Sequence, residues 1–274
     1  MKCLIVGCQR SGTTLLREVI STGNILIFDE NWIASYFYRE RFHAHKWRGC
    51  GWEYDDEDTK IWDDGVRSFL KYTYQNYFEK IKKPHHLQWG MKSPGLNMAC
   101  AIPYLAKLIE KLQFVYVVRE PRDTFASMKN SKQMLYSLPN NFYGDSINSP
   151  DLVALAIRPY EYWGEVNKEI LSHREKMPER FYTLWFEKWM DNPVLYTKDI
   201  CDFLQVPFNT DMLEPFTRKI SQASVVSMEK EDFYAGRFVT KASAVGRWRY
   251  DLSSEEVDRL MKSSEHSARI LGYL

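Results

Sequence analysis

Hydrophobic residues fall along this chain in short unbroken runs separated by longer mixed stretches. The run Leu4-Ile5-Val6 closes on Gly7, and Phe114-Val115-Tyr116-Val117-Val118 closes on Arg119. Short runs rich in β-branched and aromatic residues read as strands buried on both faces. The pattern predicts strands near residues 2–7, 87–92, 113–118 and 181–186. It predicts helices near residues 12–21, 62–82, 97–111, 151–174, 194–204 and 253–271, and one that follows Pro121 to about residue 131. Strands alternating with helices imply an α/β fold with a central parallel sheet flanked by helices on both faces. Ligands in such sheets gather beyond the carboxyl ends of the strands. Residues 31–64 break the alternation. They are irregular and aromatic (Trp32, Tyr36, Phe37, Tyr38, Trp47, Trp52, Tyr54), with an acidic run at 53–58. A stretch of that length without periodicity is expected to be a functional insertion or a cover.

The first strand leads into Gly7-Cys8-Gln9-Arg10-Ser11-Gly12-Thr13-Thr14. Gly7 and Gly12 have the spacing of a phosphate-binding loop, and the sheet is accordingly expected to be of the P-loop type. Glycines let successive N–H groups turn inward into an anion-binding nest. The helix that follows adds the positive end of its dipole, roughly half a charge. Thr13 stands where such loops usually carry Lys, and a cation appears instead at Arg10, whose planar fork suits phosphate or sulfate oxygens. That exchange points away from nucleoside triphosphates and toward another activated nucleotide.

The 274 residues suit one domain, 1–274, with residues 31–64 shaping a pocket. A net charge of +1 gives no global attraction to nucleic acid or to a membrane surface. The five cysteines are scattered, with no C-x-x-C pair, and read as reduced thiols. Cys3 and Cys8 flank the first strand and are expected in the core. No signal peptide or membrane span is visible, so a cytoplasmic location is expected. No cluster of His, Cys and Asp has metal-ligand spacing, so no metal is expected.

A second segment carries chemistry. Arg119 closes a strand, Pro121 suits a first helical turn, and Ser127 lies eight residues along. A fork and a hydroxyl so placed suit a second phosphate, although Arg119 paired with Asp123 is an open alternative. Together the two segments resemble the sulfotransferases that use 3′-phosphoadenosine 5′-phosphosulfate. The first is similar to their 5′-phosphosulfate loop (Arg10, Ser11, Gly12, Thr13, Thr14). The second is similar to their 3′-phosphate element (Arg119, Ser127). A third match, Lys241-Ala242-Ser243-Ala244-Val245-Gly246-Arg247-Trp248, resembles the late G-x-W segment, whose upstream basic residue also reaches the 3′-phosphate; Lys241, Ser243 and Arg247 are the candidates. A fourth, Trp185-Phe186-Glu187, has Phe186 where the family usually carries a Tyr near adenine. The order of the motifs and R-S-G-T-T in the loop place the likeness with the bacterial and tyrosylprotein-like branch.

The resemblance implies in-line transfer of a sulfuryl group, governed by positioning and charge stabilisation. Arg10 would steady the sulfonate. Lys92, in Gly90-Met91-Lys92-Ser93-Pro94, would neutralise charge on the bridging oxygen; a solvated lysine at a strand end is the alternative. The resemblance makes Glu30 the base, with Asp29 beside it and His43 and His45 as outside candidates. The expected acceptor is a hydroxyl or amine of a small polar natural product, a cationic one being compatible with the acidic residues near the site. A peptide or carbohydrate acceptor, and a P-loop kinase, are the rivals. Expected partners are a small-molecule acceptor and, at most, a second copy of the chain, without nucleic acid or membrane.

Overall fold

A computed structural model describes residues 1–21, 25–28, 56–80, 88–130, 159–217 and 245–274. Its sheet has five strands: β1 (Cys3–Gly7), β2 (Ile25–Phe28), β3 (Gln88–Lys92), β4 (Gln113–Val118) and β5 (Phe181–Trp185). They are all parallel, in the spatial order β2-β3-β1-β4-β5. β1 is therefore central, and the chain crosses it between β3 and β4. That crossing opens a crevice at the carboxyl ends of β1, β3 and β4, where ligands of such sheets bind.

The alternation of β1 and β4 builds two cores. Leu4, Val6, Phe114, Tyr116 and Val118 face one side, and Cys3, Ile5, Val115 and Val117 face the other. The first side is covered by α2 (Asp56–Lys80), α3 (Leu96–Leu108) and α5 (Pro159–Lys176). The second is covered by α1 (Thr13–Ser21), α6 (Phe186–Asp191) and α7 (Pro193–Leu204). Fully burying one such aliphatic or aromatic side chain contributes roughly 1.5–3 kcal/mol before entropy is counted. The pattern of continuous apolar strands thus translates directly into a doubly covered sheet, as the sequence predicts. Cys3 and Cys8 are core residues, and burial pushes the Cys3 thiol up to about 12.

Three departures from the predicted elements have physical causes. β2 was not predicted, because Ile25-Leu26-Ile27-Phe28 is only four residues long. α2 begins at Asp56 rather than near residue 62, so the last nine residues of the expected irregular insertion are helical. Asp56, Glu57 and Asp58 lack apolar periodicity, but acids in a first turn complement the helix dipole. Further along, Trp62, Val66 and Leu70 repeat every fourth residue and pack on the core, while Lys107 of α3 pairs with the buried Asp63 at 3.3 Å.

The C-terminal helix, expected as one element, is two: α9 (Ser254–Ser263) and α10 (Glu265–Ile270), following a short α8 (Trp248–Asp251). The break at Ser264 wraps the chain around α5. Ser263 Oγ donates to the Tyr160 carbonyl at 2.6 Å and Ser267 Oγ to the Gly164 carbonyl at 2.9 Å. A Cβ on Gly164 would stand 3.2 Å from the break, so glycine permits the approach. The same C-terminal unit is tied to α4 (Pro121–Asn130) by Lys129, whose Nζ donates to Glu256 at 2.7 Å. Glu256 also closes a capping box with Ser253.

The Lys129 hydrogen bond, then the one from the Ser253 backbone N–H, hold the Glu256 carboxyl below the usual carboxylate range. A carboxylate depressed on folding contributes stability above its unfolded pKa of about 4.3, and loses it as pH falls through the folded value. Glu256→Ala is expected to lower Tm by about 1–3 °C at pH 7. The difference should shrink toward pH 3, as read by thermal denaturation of both proteins across that range. A deficit that persists undiminished at pH 3 would remove the ionised contact from the account.

Candidate active site

The carboxyl ends of β1, β3 and β4 are in register. Ile5 pairs with Lys92, and Gly7 pairs with Val117. Beyond β3 the alignment continues, with Ser93 N–H donating to the Ile5 carbonyl at 3.0 Å and Gly95 N–H to the Gly7 carbonyl at 2.9 Å. This places Lys92-Ser93-Pro94-Gly95 against the loop that leaves β1.

The loop itself is tight. Gly7 has φ 151° and Gly12 has φ 99°. A Cβ on Gly7 would lie 2.4 Å from the Val117 carbonyl oxygen, and one on Gly12 would lie 2.5 Å from the Phe186 ring. Neither position admits a side chain without displacing its neighbour. Arg10 sits between them at φ 67°, a left-handed conformation that a non-glycine residue rarely adopts. α1 starts at Thr13, with Leu16 N–H donating to the Gly12 carbonyl. Helix geometry leaves the amides just after Gly12 without intrahelical acceptors.

Three cations converge on this loop. Lys92 is 3% exposed, and its Nζ donates to Thr14 Oγ at 3.1 Å. This corrects the solvated alternative for Lys92: the side chain is inside, at the loop. Arg119 is 5% exposed and its Nη1 donates to the Arg10 carbonyl at 2.9 Å. Arg10 reaches away from its own strand, with Nε donating to Ser127 Oγ at 3.1 Å. The loop after β1 and the helix after β4 are thus joined side chain to side chain.

Burial pushes the pKa of Arg119 down, and the carboxylates of Asp123, Glu187 and Glu120 push it back. Arg247 adds a small lowering, which places a further positive charge close to Arg119. Arg247 itself pairs through Nε with Asp251. The backbone around it is pinned by Asp123, whose two oxygens accept from Gly246 N–H at 2.6 Å and Trp248 N–H at 3.0 Å. The carboxylate that sequence alone offered as a partner for Arg119 therefore anchors the late Gly246-Arg247-Trp248 segment to the first turn of α4. Arg122 covers the Trp248 ring at 4.3 Å from its centroid.

Several supporting contacts have no counterpart in the sequence pattern, although Glu187 itself lies in the fourth matched motif. Trp163 Nε1 donates to the Arg119 carbonyl at 3.0 Å from α5. Glu187 accepts from Glu120 N–H at 2.9 Å with one oxygen and from Tyr273 O–H at 2.9 Å with the other. Such contacts join positions 44 to 86 residues apart. No local pattern announces them.

Of the predicted site residues, Arg10, Ser11, Gly12, Thr13, Thr14, Lys92, Arg119, Ser127 and Arg247 lie on this one edge. Glu30, Lys241 and Ser243 lie outside the described residues, as do Asp29, His43 and His45. β2 ends at Phe28, in register with Met91, so the chain reaches the same carboxyl edge two residues before Glu30.

The arrangement suits an anion with two charged ends. Ser11 is fully buried, yet its Oγ has no hydrogen-bond partner among the described residues. A buried hydroxyl left so invites an incoming acceptor oxygen. The space a Cβ would fill at Gly7 and Gly12 is taken by neighbouring groups, so both loop positions need glycine. Among the described residues, no helix is long and apolar enough to cross a membrane.

Comparison with known proteins gives the same picture. A sulfotransferase domain from the curacin biosynthetic pathway has a similar structure, with TM-score 0.61 and 17% identity over 99% of this chain and 97% of that one. The sulfotransferase domain of the Synechococcus PCC 7002 olefin synthase gives TM-score 0.56 and 16% identity, over 97% and 94%. Mouse sulfotransferase SULT7A1, solved with PAP, gives 0.51 and 16%, over 97% and 84%. At these identities the likeness is one of fold. No curated protein gives a significant sequence match. The sequence profile described as "Sulfotransferase family" matches residues 3–210, well over half of the chain, and the chain belongs to that family.

Proposed function

We propose that this protein transfers a sulfuryl group from 3′-phosphoadenosine 5′-phosphosulfate to a hydroxyl or amine of a small polar acceptor. The observation that carries this reading is the link between two anion sites. Arg10 of the β1 loop bonds Ser127 of α4, and Arg119 at the end of β4 bonds the carbonyl of Arg10. A triphosphate loop needs one anion site with a lysine at position 13. Here Thr13 takes that place and the cations are shared between two strand ends. The complex of mouse SULT7A1 with PAP supports the choice of nucleotide.

The donor supplies an activated sulfuryl group and departs as adenosine 3′,5′-bisphosphate. The first amides of α1, with Ser11, Thr13 and Thr14, hold the 5′ end. Arg119 and Ser127, with Lys241, Ser243 and Arg247, hold the 3′-phosphate. Lys92, fixed on Thr14, presents its ammonium where charge develops on the bridging oxygen. Arg10 balances charge at the transferring group. Glu30 takes the acceptor's proton. Residues 31–55 and 136–145 shape the acceptor pocket, and their Trp and Tyr side chains suit flat or cationic acceptors. The biosynthetic origin of two similar structures supports a natural-product acceptor.

Lys92→Ala is expected to lower kcat by about 10²–10³-fold while affinity for adenosine 3′,5′-bisphosphate changes little. An equal loss in both would make Lys92 a binding residue only. Glu30→Gln is expected to lower turnover by about 10²–10⁴-fold, again with nucleotide binding retained. Turnover near that of the unmodified protein would move the base to Asp29 or to a histidine. The reaction itself is checked by mass spectrometry of polar hydroxy and amino metabolites incubated with donor and protein. Products heavier by one sulfuryl group are expected from hydroxyls or amines of small polar molecules. Modification confined to peptides or oligosaccharides would overturn the acceptor class.

A further inference from the structure

The two sites proposed for the nucleotide rest on one aromatic ring. Phe186 opens α6 immediately beyond the end of β5 and is fully buried. The edge of its ring lies beneath Gly12, where a Cβ would stand 2.5 Å from Cδ2 and 2.6 Å from Cε2. The guanidinium carbon of Arg119 lies 4.9 Å from the centroid of the same ring. Arg119 also holds the carbonyl of Arg10 in the strained part of the loop. The ring is fixed from behind. Trp189 meets it edge-on at 6.4 Å, and Trp189 is held by Thr197 of α7 through a 3.0 Å hydrogen bond.

The family usually carries a tyrosine at this position, and its hydroxyl can lie near adenine. The phenyl ring of this chain is instead wholly enclosed between the loop and Arg119. We propose that Phe186 is a positioning residue that couples the 5′ and 3′ phosphate sites, by serving as a common floor for Gly12 and Arg119. The proposal rests on the donor-site assignment given above. A flat ring attracts a guanidinium over its face and is thin enough at its edge for the loop to close on it. An anion bound at Arg119 fixes that side chain, and through the Arg10 carbonyl it fixes the loop. The 3′-phosphate therefore contributes more to affinity than its own contacts, and the surplus depends on the ring. A branched aliphatic chain of similar volume fills the core without offering the face.

The test measures, by calorimetry, the affinity gained on going from adenosine 5′-phosphate to adenosine 3′,5′-bisphosphate. It is made on the full chain, on Phe186→Leu, on Arg119→Lys and on the double variant. Phe186→Leu is expected to reduce that gain by about tenfold. The double variant should lose no more than the larger of the two single losses, because both act through one contact. Phe186→Met, which keeps volume but lacks the face, provides the same reading where Leu does not fold. A variant with lowered Tm but an undiminished gain, or strictly additive losses, overturns the coupling and leaves Phe186 a core residue. Absence of any gain in the unmodified protein overturns the donor-site assignment, and the coupling with it.

Discussion

Keeping Arg119 and Lys92 almost wholly out of water, at the ends of the two strands that flank β1, is the constraint on which the rest of the site depends. An isolated charge is costly to bury, and two like charges near one loop are costlier still. The fold meets that cost with fixed partners. Asp123, Glu187 and Glu120 surround Arg119, and the loop supplies Thr14 Oγ to Lys92 and the Arg10 carbonyl to Arg119. Each carboxylate is in turn held by backbone. Asp123 accepts from Gly246 and Trp248, and Glu120 accepts from Asp123 N–H at 2.8 Å. The cations at the carboxyl edge are thus held by groups of the protein itself. Rigid dipoles and charges aimed at a developing anion are the largest single source of catalysis in reactions of this kind.

The sheet order explains why these groups meet. With β1 central and β3 and β4 on either side, the loop after β1 has a neighbouring strand end on both flanks. Lys92 comes from one flank and Arg119 from the other. Gly7 is required because its neighbour across the ladder, Val117, leaves no room for a side chain. Gly12 is required because Phe186 leaves none on the other side of the loop. The strand register, the two glycines and the buried ring form one mechanical unit.

Much of this was legible in the sequence, and for specific reasons. The apolar runs ending at Gly7 and Val118 fixed the two central strands to within a residue, because doubly buried strands have no polar positions to blur them. The spacing of Gly7 and Gly12, and the position of Arg119, placed both candidate anion sites at strand ends. What the sequence could not convey was reciprocity. Asp123 is a charge partner of Arg119, as its position suggests, but it also anchors a segment over 120 residues away. Phe186 stands where the resemblance has a Tyr near adenine, and the sequence gives no sign that its ring lies against Gly12 of the loop. Long-range partners such as Trp163 and Tyr273 leave no periodic trace, because one residue of each pair sits in an otherwise ordinary helix or tail. The acidic start of α2 was readable in principle, since acids at a first turn are a helix signal even without apolar repeats.

The central claim is that this edge recognises a nucleotide by two separate phosphates rather than by a triphosphate and its metal. Thermal denaturation in the presence of adenosine 3′,5′-bisphosphate, set beside ATP with magnesium, tests it directly. At a hundredfold excess over Kd, the bisphosphate is expected to raise Tm by about 5–10 °C, with a clearly smaller rise for ATP and magnesium at the same concentration. A larger rise with ATP and magnesium would contradict the account and make the loop a triphosphate site.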